Sequence, residues 1–409
     1  MKVSLSNPDI TSLEKRLVMQ VLNSHSLSLG PKLTEFENKF SDYIGCKYAI
    51  SVNSGTSGLH LSMKAIDLKE GDEVITSPFS FISSANCILY EKGVPVFVDI
   101  DSETCNIDVE KIEDEITPNT KAILVVHVFG RPCNMNRILQ IALKHHLFII
   151  EDACEAIGAE YLLDIPENGY NKPKNAFYKK AGTFGNCGVF AFYPNKQITT
   201  GEGGIIVTDD DKIANLCKSL RNQGRGENGR WLLHERLGYN YRISDLNCAL
   251  GIAQLDRIRE ILDKRNRVAN WYFERLSNVE QLVLPSEMKD GKISWFVYVV
   301  RLIDDFSQDD RDRIIDALIS KGIGCNCYFP PIHLQPFYME MFGYRKGDFP
   351  ITEHISKRTI ALPFFSNMSR DQVNYVCDKL IQILKNYKLK PIKINKYSNY
   401  FKEGENVLI

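Results

Sequence analysis

An α/β fold with a largely parallel sheet is predicted by three features of this 409-residue chain: short apolar runs, helical patterns between them, and a change of that rhythm after about residue 250. The strand candidates are Tyr48–Val52, Glu73–Thr76, Val94–Val98, Ala122–His127, Leu147–Glu151, Val189–Phe192 and Ile205–Val207. Helical periodicity separates many of them, for example over Thr56–Ile66 and Asn136–His145. Alternation of this kind builds a sheet with helices on its faces.

Ahead of the first strand, residues 8–23 carry apolar Ile10, Leu13, Leu17, Val18 and Val21 at helical spacing, and a second helix is expected over 31–44, before Gly45. Residues 245–277 read as one long amphipathic helix rich in Arg and Glu. A strand (Trp295–Leu302), a helix (Arg311–Lys321), a short strand (Cys325–Phe329) and a last helix (Arg370–Tyr387) follow. This is the pattern of a smaller α+β unit, and so much chain exceeds one ordinary core. The expected division is a large domain over 1–265, a small C-terminal domain over 266–387 and a tail over 388–409. Residues 161–181, rich in Asn, Pro, Tyr and Lys, read as an extended surface loop or hairpin. The basic, aromatic tail reads as a chain end draped over the surface.

Composition excludes several classes. With 50 basic and 51 acidic residues the formal net charge is −1, which gives no reason to expect nucleic acid or an anionic membrane as partner. A local cationic cleft for a phosphorylated ligand remains compatible with it. The eleven cysteines are scattered, odd in number and without a CxxC pair, so reduced thiols are expected rather than a disulfide framework or a metal site. The opening MKVSLSNPDITSLEKRL has no apolar signal core, and no segment reaches transmembrane length. The expectation is a cytoplasmic protein.

The most informative segment is VFAFYPNKQITTGEGGIIVT, residues 189–208. It places Lys196 between two apolar strands, after a Pro194-Asn195 turn and before the Gly201–Gly204 turn. Burying an ammonium is costly, and chemistry can justify it: a desolvated lysine is a neutral amine able to form an imine with an aldehyde cofactor. For an isolated lysine an exposed turn is the commoner explanation, so the case depends on partners. Asp152, in FIIEDACEAIGAEY, falls just past an apolar strand, where open α/β sheets build their sites. It suits either a cationic ring nitrogen or the N-cap of the next helix. In SVNSGTSGLHLSMKAI, Gly55 and Thr56 open a helix whose free N–H groups would seat a phosphate, though the same tripeptide is a common cap. Phe81, in TSPFSFISSAN, follows another strand and suits stacking on an aromatic cofactor or burial in the core.

Taken in order, SGT, SPFSF, EDACEAIGAEY, FYPNKQITTGEGG, LGYNYRISDLNCALG and YFPPIHLQPFY resemble the DegT/DnrJ/StrS-type sugar-nucleotide aminotransferases over roughly residues 8–387. The resemblance implies a fold type I, pyridoxal 5'-phosphate-dependent enzyme that works as a homodimer with sites at the subunit interface. The likeness is greatest to perosamine synthases, whose lysine segment also reads NK-x-ITTGEGG. Those enzymes aminate a nucleotide-linked 4-keto-6-deoxyhexose from L-glutamate. By that match Lys196 is the Schiff-base lysine, Asp152 the partner of the pyridine nitrogen, Gly55 and Thr56 the phosphate turn, and Phe81 the stacking aromatic. Asn240, in GYNYR, matches the asparagine reaching the phosphate from the neighbouring subunit. Glu155 falls near the cofactor's ring hydroxyl, where many relatives carry Gln or His; as an ordinary residue it would be a helix surface carboxylate.

The chain also departs from the pattern. Ala191 stands where many relatives have a phosphate-binding serine, the 161–181 segment is longer than usual, and the tail has no counterpart. A related subgroup with histidine in place of the lysine performs deoxygenation; Lys196 argues against that. His333, in PPIHLQPFY, suits either the sugar nucleotide or a packing role. Arg225 and Arg230 sit in a Gly-rich stretch and are expected to be solvated loop arginines. Amination at C3, or a non-catalytic protein that merely binds pyridoxal phosphate, are the alternatives.

Overall fold

The computed structural model describes residues 1–164, 176–226 and 233–387. In chain order the helices are α1 Ser12–Leu22, α2 Pro31–Ile44, α3 Gly55–Ala65, α4 Ser83–Leu89, α5 Met135–His145, α6 Asp211–Arg221, α7 Asp245–Asp256, α8 Ile258–Leu276, α9 Gln308–Ser320, α10 Pro336–Phe342, α11 Pro350–Ser356 and α12 Arg370–Asn386. The strands are β1 Tyr48–Val52, β2 Glu73–Thr76, β3 Val94–Phe97, β4 Thr120–Val126, β5 Phe148–Asp152, β6 Glu160–Leu163, β7 Phe177–Lys180, β8 Cys187–Ala191, β9 Gly204–Thr208, β10 Leu282–Val283, β11 Gly291–Lys292, β12 Tyr298–Leu302 and β13 Thr359–Leu362.

A seven-stranded sheet ordered β1-β9-β8-β5-β4-β2-β3 forms the centre. Strand β9 runs antiparallel to β1 and β8, and the other pairs are parallel. These strands are apolar along most of their length because helices cover both faces. Leu59 and Leu61 of α3 and Ile213 and Leu220 of α6 close one side. On the other side, Phe36 and Phe40 of α2 meet Phe190, Phe192 and Ile252, and α5 supplies Ile138 and Ile141. The predicted α/β architecture with a mostly parallel sheet is therefore the one found.

Helices α8, α9 and α12 pack with the antiparallel sheet β10-β12-β13. Residue 265 lies inside α8, which serves both cores. Its Ile258, Ile261 and Leu262 join the α2 side of the large sheet, while Val268, Ala269, Tyr272 and Leu276 join Tyr298 and Leu302 of the small one.

Two expected elements differ. The single helix over 245–277 is broken at Arg257 (φ −101°, ψ 7°). Helix α7 is buried almost all round, whereas α8 is amphipathic and must turn toward the small sheet. Arg257 secures the corner through Glu14 at 2.7 Å and Asp9 at 3.1 Å. The expected strand over Cys325–Phe329 does not form. Only Asn326 bridges to Ala361, because Tyr328 and Phe329 turn their rings toward the cavity described below.

One close approach is at Gly130 (φ +82°), where an added Cβ would lie 1.8 Å from the Ser294 carbonyl oxygen. A side chain there meets both the wrong backbone region and a rigid neighbour. Arms of the 161–181 segment pair as β6 and β7, with Leu163 opposite Phe177, and β11 extends that hairpin. Its tip, Arg230 and the tail lie outside the described residues. No described helix is long and apolar enough to cross a membrane.

Candidate active site

A cavity of about 460 Å³ opens at the C-terminal ends of β4, β5 and β8, the place where α/β sheets gather functional groups. Gly55, Thr56, Phe81, Asp152, Glu155 and Lys196 all line it. Six residues separated by up to 141 positions of sequence thus converge on one space.

Asp152 ends β5, and strand alternation sends it and Glu151 to opposite sides. Glu151 is wholly buried and accepts hydrogen bonds from the N–H groups of Gly182 (2.7 Å), Phe184 (2.6 Å) and Gly185 (2.7 Å). It also accepts from His127 Nε2 at 2.9 Å, because His127 Nδ1 already accepts from the Cys133 N–H at 3.1 Å. The end of β5 is therefore clamped from beneath. Above it, the Asp152 carboxylate receives the Ser84 hydroxyl at 3.0 Å and the Cys154 N–H at 3.1 Å.

At the start of α3, Ser54 Oγ caps the Ser57 N–H at 3.1 Å. The preceding amides of the first turn have no helical acceptor and belong to residues that line the cavity, an arrangement that attracts anions. Thr56 Oγ1 and Ser83 Oγ lie 2.8 Å apart beside them. Gly55 is required by packing: a Cβ there would sit 2.7 Å from the Ala191 Cβ and 3.0 Å from the Cys154 Sγ. Burial and the neighbouring Asp152 carboxylate push the Cys154 thiol well above its ordinary range, so it serves as a neutral wall.

Lys196 follows the turn that returns its N–H to the Tyr193 carbonyl at 2.9 Å. Its Nζ lies 3.6 Å from Glu155 Oε1 and 3.9 Å from the centre of the Phe296 ring. Glu155 is buried, and its other oxygen accepts the Phe129 N–H at 2.8 Å. Burial raises the Glu155 carboxyl above its ordinary range by more than the Lys196 ammonium and the Phe129 N–H lower it.

That direction gives a test. Native Glu155 keeps its proton to higher pH than the unfolded carboxyl does, so the folded state loses stability as pH climbs above the ordinary carboxyl range. Glu155→Gln retains an acceptor for Phe129 and removes the ionisation. The cofactor-free variant is expected to match the wild type near pH ~4 and to exceed it near pH ~7. Urea titrations at the two pH values check this, and a difference that does not change with pH contradicts it.

Phe81 is 62 % exposed and stands at the cavity mouth. Asn240 lies on the surface outside the cavity, its backbone carbonyl receiving Asn53 Nδ2 at 3.4 Å. His333 is fully buried and does not line the cavity. It sits 3.2 Å from Glu353 and packs edge-on to Phe349. The packing role is the one the structure displays, because Pro331 and the short helical turn Ile332–Leu334 fold it inward. Arg225 forms an isolated backbone bridge with His234 away from the cavity.

Residues that the motifs did not single out complete the lining. Ser83, in the TSPFSFISSAN run, lines the cavity, and Ser84 beside it acts from behind by holding the Asp152 carboxylate; their repeated hydroxyls are the available signal. Phe296, Tyr328 and Phe329 come from the small unit, with Phe329 stacked on Phe129 at 5.6 Å. Tyr328 and Phe329 open the YFPPIHLQPFY run, whereas nothing local marks Phe296 as a site residue.

A small unit closing over the C-terminal edge of a mostly parallel sheet, with lysine and carboxylates facing inward, has the architecture of the sugar aminotransferases. The chain belongs to the DegT/DnrJ/EryC1/StrS aminotransferase family, whose model matches residues 8–381. It is 37% identical over 385 residues to a GDP-perosamine synthase of Caulobacter vibrioides, covering 94% of this chain and 98% of that protein. It is 36% identical over 390 residues to the spore coat polysaccharide biosynthesis protein SpsC of Bacillus subtilis, covering 93% and 96%. Among solved structures, PseC of Helicobacter pylori, an aminotransferase involved in pseudoaminic acid biosynthesis, superposes with a TM-score of 0.86 at 26% identity, covering 95% of this chain and all of that one. Aminotransferases of this family use pyridoxal 5'-phosphate.

Proposed function

We propose that this enzyme moves the amino group of L-glutamate onto C4 of a nucleotide-linked 4-keto-6-deoxyhexose, giving a perosamine-like 4-amino-4,6-dideoxy sugar nucleotide for glycan or polysaccharide synthesis. The observation that carries the reading is the convergence of Lys196, Asp152, Glu155 and the α3 amides on one cavity. The named perosamine synthases among its relatives support the choice of sugar.

The donor set fits the cofactor. A carboxylate already held by Ser84 and Cys154 offers a lone pair to a ring nitrogen, unsatisfied amides and two hydroxyls suit a phosphate, and an amine lies within the same cavity. Ala191 supplies no hydroxyl where many relatives have serine, and the Thr56 and Ser83 hydroxyls belong to residues lining the same cavity. Lys196 Nζ would hold the aldehyde carbon covalently, Asp152 the ring nitrogen, Gly55 and Thr56 the phosphate, Phe81 the ring face and Glu155 the ring hydroxyl. Asn240 would reach the phosphate of a second subunit in a homodimer. When bound, the cofactor supplies an aldehyde that accepts and returns an amino group, and a cationic ring that draws electrons from the reacting carbon.

The residues then divide the work. Lys196, once released by the donor amine, is the base that takes a proton from the amino-bearing carbon of glutamate. In the second half-reaction the same Nζ moves a proton to the sugar carbon. Asp152 keeps the ring nitrogen protonated through both halves. Phe296, Tyr328 and Phe329 exclude water from the lysine, which confines its proton to the substrate.

Purified protein incubated with glutamate and GDP-, UDP- and dTDP-linked 4-keto-6-deoxy sugars checks the assignment by NMR of the product. An amine at C4 of one of them is expected. Amination at C3, or none with any 4-keto sugar, overturns the proposal.

A further inference from the structure

The helix α8 carries a buried arginine that no part of the reading above uses. Arg265 is 3 % exposed, and burial pulls its pKa down to about 10, so it remains cationic at neutral pH. Among the described residues it makes no ion pair. Asp9 supplies the nearest favourable field, but that carboxylate is bonded to Lys264 at 2.9 Å and Arg257 at 3.1 Å. The Phe364 ring, 5.5 Å away, gives a partial cation–π offset. Burying a guanidinium without a carboxylate partner is expensive, and an apolar residue of similar volume is commonly no worse for stability. A charge kept in such a place calls for a role other than stability.

Its hydrogen bonds indicate one. One terminal nitrogen donates to the Lys196 carbonyl at 2.9 Å. The other donates to the Phe296 carbonyl at 3.1 Å and the Trp295 carbonyl at 3.4 Å. The fork thus joins the backbone of the lysine to the backbone of the aromatic residue whose ring lies under its amine. The next residue repeats the connection: Gln197 Nε2 donates to the Glu155 carbonyl at 2.7 Å, the Ser294 carbonyl at 3.1 Å and the Ser294 hydroxyl at 3.0 Å. Two consecutive residues of the lysine turn are therefore fastened to one small-unit segment, Ser294–Phe296. A lysine ammonium could not do this, because its three donors radiate from one point, whereas a planar fork reaches carbonyls on two separate segments.

We propose that Arg265 is a positioning residue for Lys196: its guanidinium ties the Lys196 and Phe296 carbonyls together and thereby sets where the amine points between Glu155 and the Phe296 ring. It touches neither substrate nor cofactor and acts through the lysine. The proposal rests on Lys196 being the covalent carrier.

The test uses the loaded enzyme and two variants, Arg265→Lys, which keeps the charge, and Arg265→Gln, which keeps a donor. Both are expected to load cofactor and to show the borohydride label on Lys196. Single-turnover rates with glutamate should fall by roughly 10²-fold, the scale of a displacement near 1 Å, while the KM for glutamate changes by less than about threefold. The circular dichroism of the visible cofactor band, which reports how the lysine-bound ring is held, should change in both variants at temperatures well below their unfolding midpoints. Arg265→Lys should recover little, since charge alone does not restore the fork.

Wild-type single-turnover rates and dichroism in variants of lowered thermal stability would overturn the proposal, because a purely structural role predicts that result. Failure of both variants to fold would also overturn it, marking Arg265 as a folding requirement. A wild-type enzyme that takes no label at Lys196 would refute the carrier assignment instead, which is read from the control alone.

Discussion

Lys196→Ala is expected to lower turnover on the order of 10⁴-fold, the largest effect of any single substitution in this cavity, since on the proposed reading it removes both the covalent carrier and the proton shuttle. The variant should fold. Among the described residues the Lys196 Nζ pairs with Glu155, at 3.6 Å, and lies 3.9 Å from the centre of the Phe296 ring, while the turn is held by its backbone. Loss of the ammonium also removes the main influence holding the Glu155 carboxyl down, so that group should protonate more readily still. Borohydride reduction followed by peptide mapping labels residue 196 in the wild type and nothing there in the variant. Added methylamine should return part of the lost rate, because the space vacated by the side chain admits a small base. Wild-type turnover in the variant would refute the assignment of this lysine.

The part of the site that lies on sheet strands and the turns after them was open to sequence reasoning, and the part contributed from a distance was not. Strand β1 has the predicted bounds Tyr48–Val52 and β2 the predicted Glu73–Thr76, because a buried strand is a short, mostly apolar run bounded by polar residues. Asp152 and Lys196 stood out for the same reason: each is a charge at the edge of such a run. Phe296, Tyr328 and Phe329 carry no comparable contrast. They are apolar residues in an apolar unit, and their meaning comes from the closure of two units onto one another. The same closure explains the lost strand over Cys325–Phe329, whose residues form cavity wall rather than sheet edge. Arg265 was hidden differently. Within a helix rich in Arg and Glu it resembles its neighbours Arg259 and Arg267, and only burial separates it from them. His333 draws notice as a histidine near a proline pair, yet its Nε2 meets Glu353 and its ring packs on Phe349 away from the cavity.

The division between near and distant contributors has a physical consequence. The large unit supplies the charges, and Asp152 among them sits on a strand end clamped by Glu151 and His127, so its position is fixed before anything binds. The small unit supplies aromatic walls that exclude water. Electrostatic groups gain strength in a dry site, and groups fixed in advance cost no reorganisation during the reaction. Gly130, pressed against the Ser294 carbonyl, and the Gln197 bridge keep the two contributions in register.

Asp152→Asn isolates the electrostatic half of this arrangement and is expected to reduce turnover by about 10²- to 10³-fold. The amide is nearly isosteric. Its oxygen still accepts the Cys154 N–H, and its nitrogen can donate to the Ser84 hydroxyl, which formerly donated to Oδ2. Packing should therefore survive, and the unfolding midpoint of the variant should stay close to that of the wild type. What changes is the charge that the proposed function sets opposite the ring nitrogen. An amide no longer favours the protonated ring, so the electron-withdrawing capacity on which proton removal depends is lost. Because Lys196 remains, borohydride should still label it. Proton removal itself should become the slow step, so glutamate deuterated at the α-carbon is expected to show a larger isotope effect on turnover than it does with the wild type. Ser84→Ala removes only one hydrogen bond to the carboxylate and should cost no more than about tenfold. A variant at position 152 with full turnover and an unchanged isotope effect would mean that this carboxylate caps the following turn and takes no part in the chemistry.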